Sequence, residues 1–497
     1  MSFTQSAISF RTPHIGAFPR ALTLAGVVGA WLLFKAWLLW YADIQLHYDE
    51  AQYWEWSQHL DWGYYSKGPL LAWLIAFSEA LFGKGEWQVR VFSWLAHGGF
   101  LCLVYFFTRS MFRSSYAARW AVVIAATTPI YFILGSVMTT DSFLLFFWTW
   151  ALWAVYRAIA QGRDSAWYEA GAAIGIGALA KLTIGLLPAA VALLLVTHRE
   201  LRPQLRNPHL WLSVLVILLC MSPMLIWNYQ NDWVLFRHEA RRALETTYSF
   251  TSFGTFMLGQ IFALSPIIAI SAIVSLYHRP TTATRYLVWG VSTLLLTFFI
   301  LKSFSTKLEA NWPAPIYIGW IILFAGMIRH RRDMLKVAVA GGVVFSSMLL
   351  LVVYFPNAAG MSHREIVPIR NVMNWREPVR KLYAATPDID FILVDNYPLA
   401  AELAFYWPQP VPVYIIGGKH RRFNQHDLWP GPDQEAGNTG LYVSLDGDTP
   451  PLLSSSFAGC QPLPPVVAAN AGEWLRALHG QLCYRYIPIS WPQPDRY

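Results

Sequence analysis

The sequence contains unusually little charge. Only 13% of its 497 residues are Asp, Glu, Lys or Arg, whereas 55% are hydrophobic and the mean hydropathy is +0.36. A soluble protein carries about 25% charged residues, so roughly half of the usual charge is missing. Long apolar runs alternate with short clusters of Arg and Lys. This pattern is typical of a polytopic helical membrane protein, in which each span needs roughly 20 apolar residues.

Two sequence motifs are also absent. No glycine-rich nucleotide-binding motif lies between a predicted strand and a predicted helix, and no cleavable-signal pattern precedes the first apolar run. The net charge of +8 would suit a nucleic-acid partner. However, the Arg and Lys residues lie in loops between apolar runs, where membrane topology explains them better. We therefore expect no nucleic-acid partner.

Cysteine is scarce, with four residues in the whole chain. Cys102 and Cys220 fall within apolar runs, where we expect them to serve as packing residues. Cys460 and Cys483 lie in the C-terminal region, where export would permit a disulfide. A disulfide and two free thiols are both left open by the sequence.

The apolar runs predict about eleven transmembrane helices within residues 1–355. The stretch 168–197 is interpreted as a hairpin of two short helices that meet near Lys181. The other spans are predicted near 21–41, 89–108, 119–137, 141–158, 209–228, 253–277, 286–301, 313–328 and 335–355. The Pro-rich stretch 356–497 is predicted to be a small soluble α/β domain with strands at 391–394 and 411–416 and short helices at 400–406 and 473–478.

The distribution of arginine predicts the orientation of the chain. If the N-terminus is cytoplasmic, every predicted inside loop contains at least two Arg or Lys residues, in agreement with the positive-inside rule. These residues are Arg11, Arg20, Arg109, Arg113, Arg119, Arg157, Arg163, Arg199, Arg202, Arg206, Arg279, Arg285, Arg329, Arg331, Arg332 and Lys336. An odd number of spans then places 356–497 outside, whereas a single helix at 168–197 would invert everything downstream.

The first predicted outer loop, residues 42–88, is too long to be a simple connector. It begins with the run HYDEAQYWEW, in which Asp49 and Glu50 are adjacent, and continues to Lys67 in YYSKGP. The apolar stretch 70–82 that follows is too short to cross a bilayer and should lie in the interface. Adjacent acids at a membrane surface have two explanations: a solvated helix start, where Asp and Glu are favoured, or a functional site.

Other charged residues are predicted to reach the same face of the membrane. Asp141 lies at the outer end of a span, where it would also serve as a helix cap, and Lys181 is an isolated cation near membrane depth that would otherwise snorkel to the surface. Two outer loops add His238, Arg241, Arg242 and Lys307, although charges at the rim of an outer loop are common. Carboxylates beside cations at a lipid interface would suit deprotonation of an acceptor hydroxyl while the cations hold a lipid phosphate.

Several motifs resemble one known family. The run YDEAQYWEWSQHLDWGYYSKGPLLAWL resembles the first outer loop of bacterial GT-C glycosyltransferases, which include relatives of protein O-mannosyltransferases and of the aminoarabinose and galacturonic acid transferases that modify lipid A. The segments TTDSFLLFFW, GALAKLTIGLLPA and KLEANWPAP match in the same order, and NYPLAAELAFYW is similar to the periplasmic domain of that group. The resemblance covers most of the chain and implies a GT-C membrane fold.

The resemblance also implies roles for individual residues. Asp49 matches the acid expected to act as catalytic base, with Glu50 as its partner, and Asp141 matches a second acidic site. The expected contacts to the donor phosphate are Lys67, Lys181, Lys307, His238, Arg241 and Arg242. In the aminoarabinose transferases a glutamate precedes the lysine that Lys67 matches, whereas this chain has Ser66. A metal ligand is therefore missing; a divalent metal is possible, but the sequence shows none.

The resemblance therefore predicts a bacterial inner-membrane enzyme with its active site on the periplasmic side. Its expected donor is a polyprenyl-phosphate-linked sugar, and its acceptor is a lipid such as lipid A, a glycan or a protein. Three alternatives are a lipid or sugar transporter, a non-catalytic membrane scaffold and an oligosaccharide ligase with a diphosphate-linked donor. A transporter would be expected to show repeated halves with broken helices near the midplane, and no such repeat is visible in the sequence.

Overall fold

The computed structural model describes residues 18–244, 246, 248–277, 282–327, 332–361, 371–416, 423–470, 473–492 and 494. Fifteen helices precede residue 355 in this part of the chain. They are α1 (Phe18–Tyr41), α2 (Tyr48–Gln58), α3 (Leu70–Phe82), α4 (Glu86–Phe112), α5 (Ser115–Thr127), α6 (Pro129–Leu134), α7 (Thr140–Gln161), α8 (Ser165–Ala180), α9 (Leu186–Thr197), α10 (Pro208–Gln230), α11 (Val234–Leu244), α12 (Phe250–Tyr277), α13 (Ala283–Ser303), α14 (Tyr317–Met327) and α15 (Arg332–Tyr354).

The helical fold of a multi-pass membrane protein is confirmed. Among the described residues, six helices are long and apolar enough to cross a bilayer: Thr23–Tyr41, Glu86–Phe112, Thr140–Gln161, Pro208–Gln230, Ala283–Ser303 and Leu335–Tyr354. Four apolar segments are shorter: Leu70–Phe82, Leu182–Thr197, Phe250–Ser265 and Ala314–Met327. The count of about eleven spans stays a prediction. Arg11, Arg279, Arg329 and Arg331, which supported the orientation, lie outside the described residues.

Three predicted apolar stretches contain breaks. The stretch 119–137 is divided between α5 and α6, because Pro129 lacks the N–H that a continuous helix requires and instead begins α6. Helix α12 is broken at Ser265, which has φ 62° and ψ 157°. Ser265 directly precedes Pro266, and a proline disfavours helical geometry in the residue before it. The stretch 168–197 is interrupted between Ala180 and Leu186, so the predicted break near Lys181 is confirmed.

The loop between α1 and α4 contains two short helices. Helix α2 starts immediately after His47, whose Nδ1 accepts a hydrogen bond from the backbone N–H of Asp49, while Glu50 accepts one from the N–H of His47. This reciprocal arrangement satisfies two N–H groups that a helix start leaves without partners. Helix α3 coincides with the predicted interfacial stretch, and Phe77, Leu81 and Phe82 are exposed on it.

The C-terminal region is a small α/β domain, as predicted. Strands β1 (Phe391–Val394), β2 (Val413–Ile415), β3 (Gly440–Ser444), β4 (Phe457–Pro462), β5 (Val466–Asn470) and β6 (Glu473–Tyr486) are accompanied by helices α16 (Arg376–Ala385) and α17 (Tyr397–Tyr406). The sheet order is β2-β1-β3-β6-β4, with β5 also paired to β6. Strand β1 is parallel to β2 and β3, whereas β6 is antiparallel to β3, β4 and β5.

One secondary-structure prediction in this domain is wrong. The stretch 473–478 was expected to be a short helix, but it is the first part of β6. Leu475, Ala477 and Leu478 favour a helix intrinsically, yet β6 pairs with three other strands, and those backbone hydrogen bonds outweigh local propensity. The same pairing places Cys460 opposite Cys483, and the two are joined by a disulfide.

Polar contacts hold the C-terminal domain against the outer loop. The side-chain oxygen of Gln45 accepts hydrogen bonds from the backbone N–H groups of Trp375 and Arg376. The Tyr406 hydroxyl accepts a hydrogen bond from the N–H of Leu46 and donates one to Glu86 at 2.8 Å. The segment before α2 and the start of α4 are therefore both tied to the C-terminal domain, which helps to fix the position of α2.

Candidate active site

Two adjoining cavities lie beside the N-terminal end of α2. The first, which we call the apolar cavity, measures about 480 Å³ and extends to Leu182, Leu186 and Phe298. The second, the polar cavity, measures about 410 Å³ and extends to Gln52, Glu309 and Asn424. The wall common to both includes Asp49, Tyr53, Ser66, Lys67, Arg242 and Trp312. A group bound in one cavity can therefore meet a group bound in the other at this wall.

Asp49 is the acid on the common wall. It is the second residue of α2, where the positive end of the helix dipole favours a negative charge. Burial among protein atoms nevertheless raises the pKa of its carboxyl, and the nearby charge of Lys67 opposes that rise. His47 Nδ1 lies 3.6 Å from the Asp49 carboxylate. Because that nitrogen already accepts the N–H of Asp49, it carries no proton there and forms a helix cap rather than an ion pair.

Lys67 and Arg242 are the cations on the common wall. The Lys67 ammonium lies 3.5 Å from the Glu239 carboxylate, and burial lowers the pKa of that ammonium. Glu239 is on α11, as is Arg242, whose guanidinium stacks over the ring of Trp312 at 4.8 Å. These two cations, with Asp49 beside them, form a charged patch at the meeting point of the cavities.

The apolar cavity reaches the surface that faces lipid. Phe298, which lines it, is 45% exposed on α13, a helix long enough to span a bilayer. Lys302 follows one turn later, also lines the cavity, and donates a hydrogen bond to the carbonyl of Ala243 at the end of α11. An amphipathic molecule can therefore place its chain along Phe298 and its charged head near Lys67 and Lys302.

Asp141 and Lys181 form an ion pair on the wall of the apolar cavity. The Lys181 ammonium lies 2.7 Å and 2.8 Å from the two carboxylate oxygens of Asp141, and the Asn311 amide donates a hydrogen bond to the same carboxylate at 2.9 Å. Thr139 is the cap at the start of α7, and its side-chain oxygen accepts a hydrogen bond from the backbone N–H of Asp141. The pair therefore joins α7, the break after α8 and the loop before α14.

Glu50 occupies a different environment from its neighbour Asp49. It is buried and makes two hydrogen bonds with Arg90, at 2.7 Å and 2.8 Å, and it also accepts the N–H of Met138 at 2.7 Å. Arg90 also donates hydrogen bonds to the carbonyls of Ile44 and Gln45. Glu50 is not among the described residues that line the two cavities. Its hydrogen bonds therefore support a role in positioning α2 rather than contact with a substrate.

His238 lines the polar cavity, where its Nδ1 lies 3.0 Å from the hydroxyl of Tyr65. The resemblance to the aminoarabinose transferases implies that His238 lies near phosphate or metal, but this chain has Ser66 where those enzymes have a glutamate. A serine hydroxyl is a weaker metal ligand than a carboxylate, and one nitrogen of His238 already has a partner. Within the part of the chain that the structure describes, no three His, Cys, Asp or Glu residues are grouped so as to hold a metal ion. The described residues therefore supply no ligand set for the divalent metal that the sequence left possible.

The remaining predicted residues are not assigned to the walls of the cavities. Lys307 is exposed, and Arg241 is exposed on α11; within the described chain neither belongs to the lining of either cavity. Arg90, Glu239 and Asn311 are not among the site residues predicted from the sequence. Arg90 carried a usable signal, because a lone arginine at the start of an apolar helix needs a partner. Glu239 and Asn311 carried none, since each acts through a residue distant in sequence.

The chain is similar to several known proteins in sequence and in fold. A family model described as dolichyl-phosphate-mannose-protein mannosyltransferase matches residues 66–227. The chain is 25% identical over 364 residues to lipid A galacturonosyltransferase RgtD of Rhizobium johnstonii, which covers 69% of this chain and 74% of the relative. Its fold is similar to the crystal structure of ArnT from Cupriavidus metallidurans bound to undecaprenyl phosphate, with a TM-score of 0.64 at 17% identity, covering 93% of this chain and 98% of that one. The apo structure of the same protein gives a TM-score of 0.59 at 16% identity, covering 94% and 98% of the two chains.

Proposed function

We propose that the chain is a membrane glycosyltransferase of the GT-C superfamily, in the group that contains protein O-mannosyltransferases and aminoarabinose transferases, and that it transfers one sugar from a polyprenyl phosphate to an envelope acceptor. The donor lies in the apolar cavity, with its prenyl chain leaving past Phe298 into the bilayer. Its phosphodiester lies against Lys67, Arg242 and Lys302, three cations of the cavity lining. Lys181, which also lines the cavity, is instead held by the buried carboxylate of Asp141. Undecaprenyl phosphate, which the related ArnT binds, is the carrier we propose.

Asp49 acts as the general base in this proposal. An acceptor hydroxyl enters through the polar cavity and attacks the anomeric carbon of the sugar from the face opposite the phosphate. The new glycosidic bond forms as the bond to the phosphate oxygen breaks, and Asp49 takes the hydroxyl proton. The leaving polyprenyl phosphate keeps the electron pair, and Lys67 and Arg242 stabilise its growing negative charge. The anomeric configuration is inverted.

Lys181 and Asp141 have a supporting role in this scheme. Each neutralises the other at short range, so neither is available as an isolated charge for the donor or the acceptor. We propose that the pair holds Asn311 and Trp312 against the common wall. Glu50 similarly positions α2 through Arg90.

The acceptor that we propose is lipid A or a related glycolipid, because RgtD, the 25% identical relative, is a lipid A galacturonosyltransferase. Both cavities then lie on the periplasmic side of the bacterial inner membrane. The disulfide between Cys460 and Cys483 supports this orientation, since disulfides persist in oxidising compartments such as the periplasm. The residues at the active site also support an enzyme better than a transporter, because the charged groups meet at one membrane face rather than along a path across it.

The position of Asp49 on the wall common to both cavities is the observation that carries the proposal. Purified wild type and Asp49→Asn, both reconstituted in lipid, are compared for release of polyprenyl phosphate from polyprenyl-phosphate sugars in the presence of lipid A. We expect the variant to lose about 10²- to 10⁴-fold in rate, the usual contribution of a general base. Its fold is checked by its thermal unfolding midpoint.

Arg241→Gln serves as the matched control, because it removes an exposed charge from the same helix as Arg242. Equal turnover by wild type and Asp49→Asn would remove Asp49 from catalysis. Absence of turnover with every donor, combined with movement of a lipid-linked sugar across the membrane, would favour a transporter instead.

A further inference from the structure

A third cavity lies on the other side of α2, between that helix and the C-terminal domain. It measures about 650 Å³, and we call it the lateral cavity; its walls include Trp54, Gln58, Glu79, Tyr414, Trp429 and Gln434. Among the described residues, none that lines it also lines the apolar or the polar cavity. The lateral and polar cavities are nevertheless neighbours. Helix α2 and the stretch 423–429 each contribute residues to both linings, so a single layer of chain separates the two cavities there.

Aromatic rings in the lateral cavity are held rigidly. The ring of Trp429 contacts the imidazole of His59 in a tilted arrangement at a centroid distance of 4.6 Å and that of His426 edge-on at 5.1 Å. His426 is in turn fixed by Glu55, whose carboxylate lies 3.2 Å from its Nε2, and both side chains are buried. A fixed aromatic face suits the apolar C–H face of a sugar ring, since little side-chain entropy is lost when the two stack.

Polar groups surround these rings at the edge of the cavity. One carboxylate oxygen of Glu79 accepts hydrogen bonds from Trp54 Nε1 at 2.9 Å and Gln58 Nε2 at 2.8 Å, and Gln434 donates to the Tyr414 hydroxyl at 2.8 Å. Carboxylates and amides oriented by their neighbours are suited to the closely spaced hydroxyls of a sugar.

The charges in the lateral cavity argue against an anionic ligand. Among the described residues, the lining of the lateral cavity contains one lysine, Lys84. The ammonium of Lys84 lies over the Trp54 ring, 4.3 Å from the ring centroid. Glu55 and Glu79 contribute two carboxylates. A phosphate is normally held by several cations or by backbone N–H groups, so this balance disfavours a lipid phosphate and favours a neutral or amino sugar.

We propose that the lateral cavity is a saccharide-binding site that holds a sugar of the acceptor glycan remote from the reacting hydroxyl. The identity of the ligand as part of the acceptor rests on the proposed function, whereas the binding of a sugar does not. Glu79 and Lys84 lie at the end of α3, whose exposed Phe77 and Phe82 suit the membrane interface, so the site is near the level at which a membrane-anchored glycan presents its sugars.

Binding is measured by calorimetry on the full chain in lipid nanodiscs, without donor. The probes are chitobiose, its deacetylated glucosamine disaccharide and, as an anionic comparison, inorganic phosphate. We expect a disaccharide to bind and phosphate not to compete with it. Trp429→Ala should weaken that binding by about tenfold, the upper range for loss of one aromatic contact. Trp429→Phe should restore part of the affinity.

Two further variants separate this inference from the proposed function. Trp62→Ala removes an exposed tryptophan of the first outer loop that is not in the lining of the lateral cavity, and this variant should bind sugar as wild type does. Asp49→Asn should also bind normally, although its transfer activity is lost. Failure of wild type to bind either disaccharide, competition by phosphate, or unchanged binding by Trp429→Ala would each overturn the inference while leaving transfer intact. Loss of transfer in every assay with sugar binding retained would overturn the proposed function alone.

Discussion

At Asp49, two opposing effects set the protonation of the carboxyl. Burial raises its pKa, while the helix N-terminus and the neighbouring Lys67 favour the charged form that a base requires. A base with a raised pKa accepts a proton more readily, so moderate burial assists the reaction at neutral pH. The placement of Asp49 at the common wall therefore affects both its access to the acceptor and its basicity.

The pH dependence of transfer follows from these two residues. As pH falls, Asp49 becomes protonated at a pKa above the usual value of about 4, and activity is lost on the acid side. As pH rises, Lys67 loses its charge below the usual lysine pKa of about 10.4, and donor binding weakens. We expect a bell-shaped profile of kcat/KM, measured with the polyprenyl-phosphate donor at limiting concentration.

Lys67→Arg tests the alkaline limb of that profile. Because arginine keeps its charge throughout the accessible pH range, the alkaline limb should move upward in pH while the acid limb stays in place. An alkaline limb that does not move would assign it to a group other than Lys67.

Arg90 has a structural role that depends on Glu50. The two side chains are 3% and 1% exposed, and Glu50 accepts four hydrogen bonds, two from Arg90 and one each from the backbone N–H groups of His47 and Met138. Arg90→Ala would leave the Glu50 carboxylate buried without its cation, which costs about 3–5 kcal/mol in comparable cases. We expect a strongly lowered midpoint of thermal unfolding in detergent.

Arg376→Ala is the matched control for Arg90→Ala. Arg376 pairs with Glu86 at 2.8 Å, but its side chain is 45% exposed, so loss of that pair should cost at most about 1 kcal/mol. Equal shifts of the unfolding midpoint in the two variants would contradict the structural role assigned to Arg90.

At the scale of elements, the site depends on segments that meet only in the folded chain. Helix α2 supplies Asp49, the turn before α3 supplies Lys67, and the short amphipathic helix α11 supplies Arg242. The ion pair of Asp141 and Lys181 connects the start of α7 to the end of α8. Movement of one element therefore changes the shape of the cavity that the others line.

A double-mutant cycle measures that connection. Asp141→Asn and Lys181→Met each remove the same ion pair, so their effects on kcat/KM should not add. We expect a coupling free energy of about 0.5–3 kcal/mol between the two substitutions. Additive losses would indicate that Asp141 and Lys181 contribute separately, for example by direct contact of Lys181 with the donor.

For the molecule as a whole, the C-terminal domain and the membrane helices act as one support for the outer loop. Gln45, Leu46 and Glu86 in or beside that loop contact Trp375 and Tyr406 in the domain. Within the domain, the disulfide closes a segment with a sequence separation of 23 residues between β4 and β6. It thereby restricts the unfolded chain.

The double substitution Cys460→Ser/Cys483→Ser should destabilise this domain by about 2–4 kcal/mol, the typical contribution of one disulfide. We expect faster proteolysis of the domain in intact lipid vesicles, while Cys102→Ala, a change within a membrane helix, should leave its proteolysis rate as in wild type. Maleimide should leave Cys460 and Cys483 of the non-reduced protein unmodified. Labelling of these two residues without prior reduction would show that the disulfide is absent from the cellular protein.

Much of the architecture was predictable because hydropathy and short motifs are local properties. The apolar runs predicted a helical membrane protein, the run YDEAQYWEW indicated Asp49 as a candidate site residue, and the break near Lys181 was correctly expected. The helical prediction for 473–478 failed because strand pairing is a non-local interaction that composition does not reveal. The roles of individual site residues stay predictions until the variants above are measured.

The sequence by itself determined the membrane class, the segments that carry charge and the family resemblance, since each depends on residues close together along the chain. Only the tertiary structure decided which charges are paired and which line a cavity. Asp141 meets Lys181 across 40 positions and Asn311 across 170, and Glu50 meets Arg90 across 40. Such pairings arise from helix packing, and a buried carboxylate takes whichever donor that packing brings within hydrogen-bond distance.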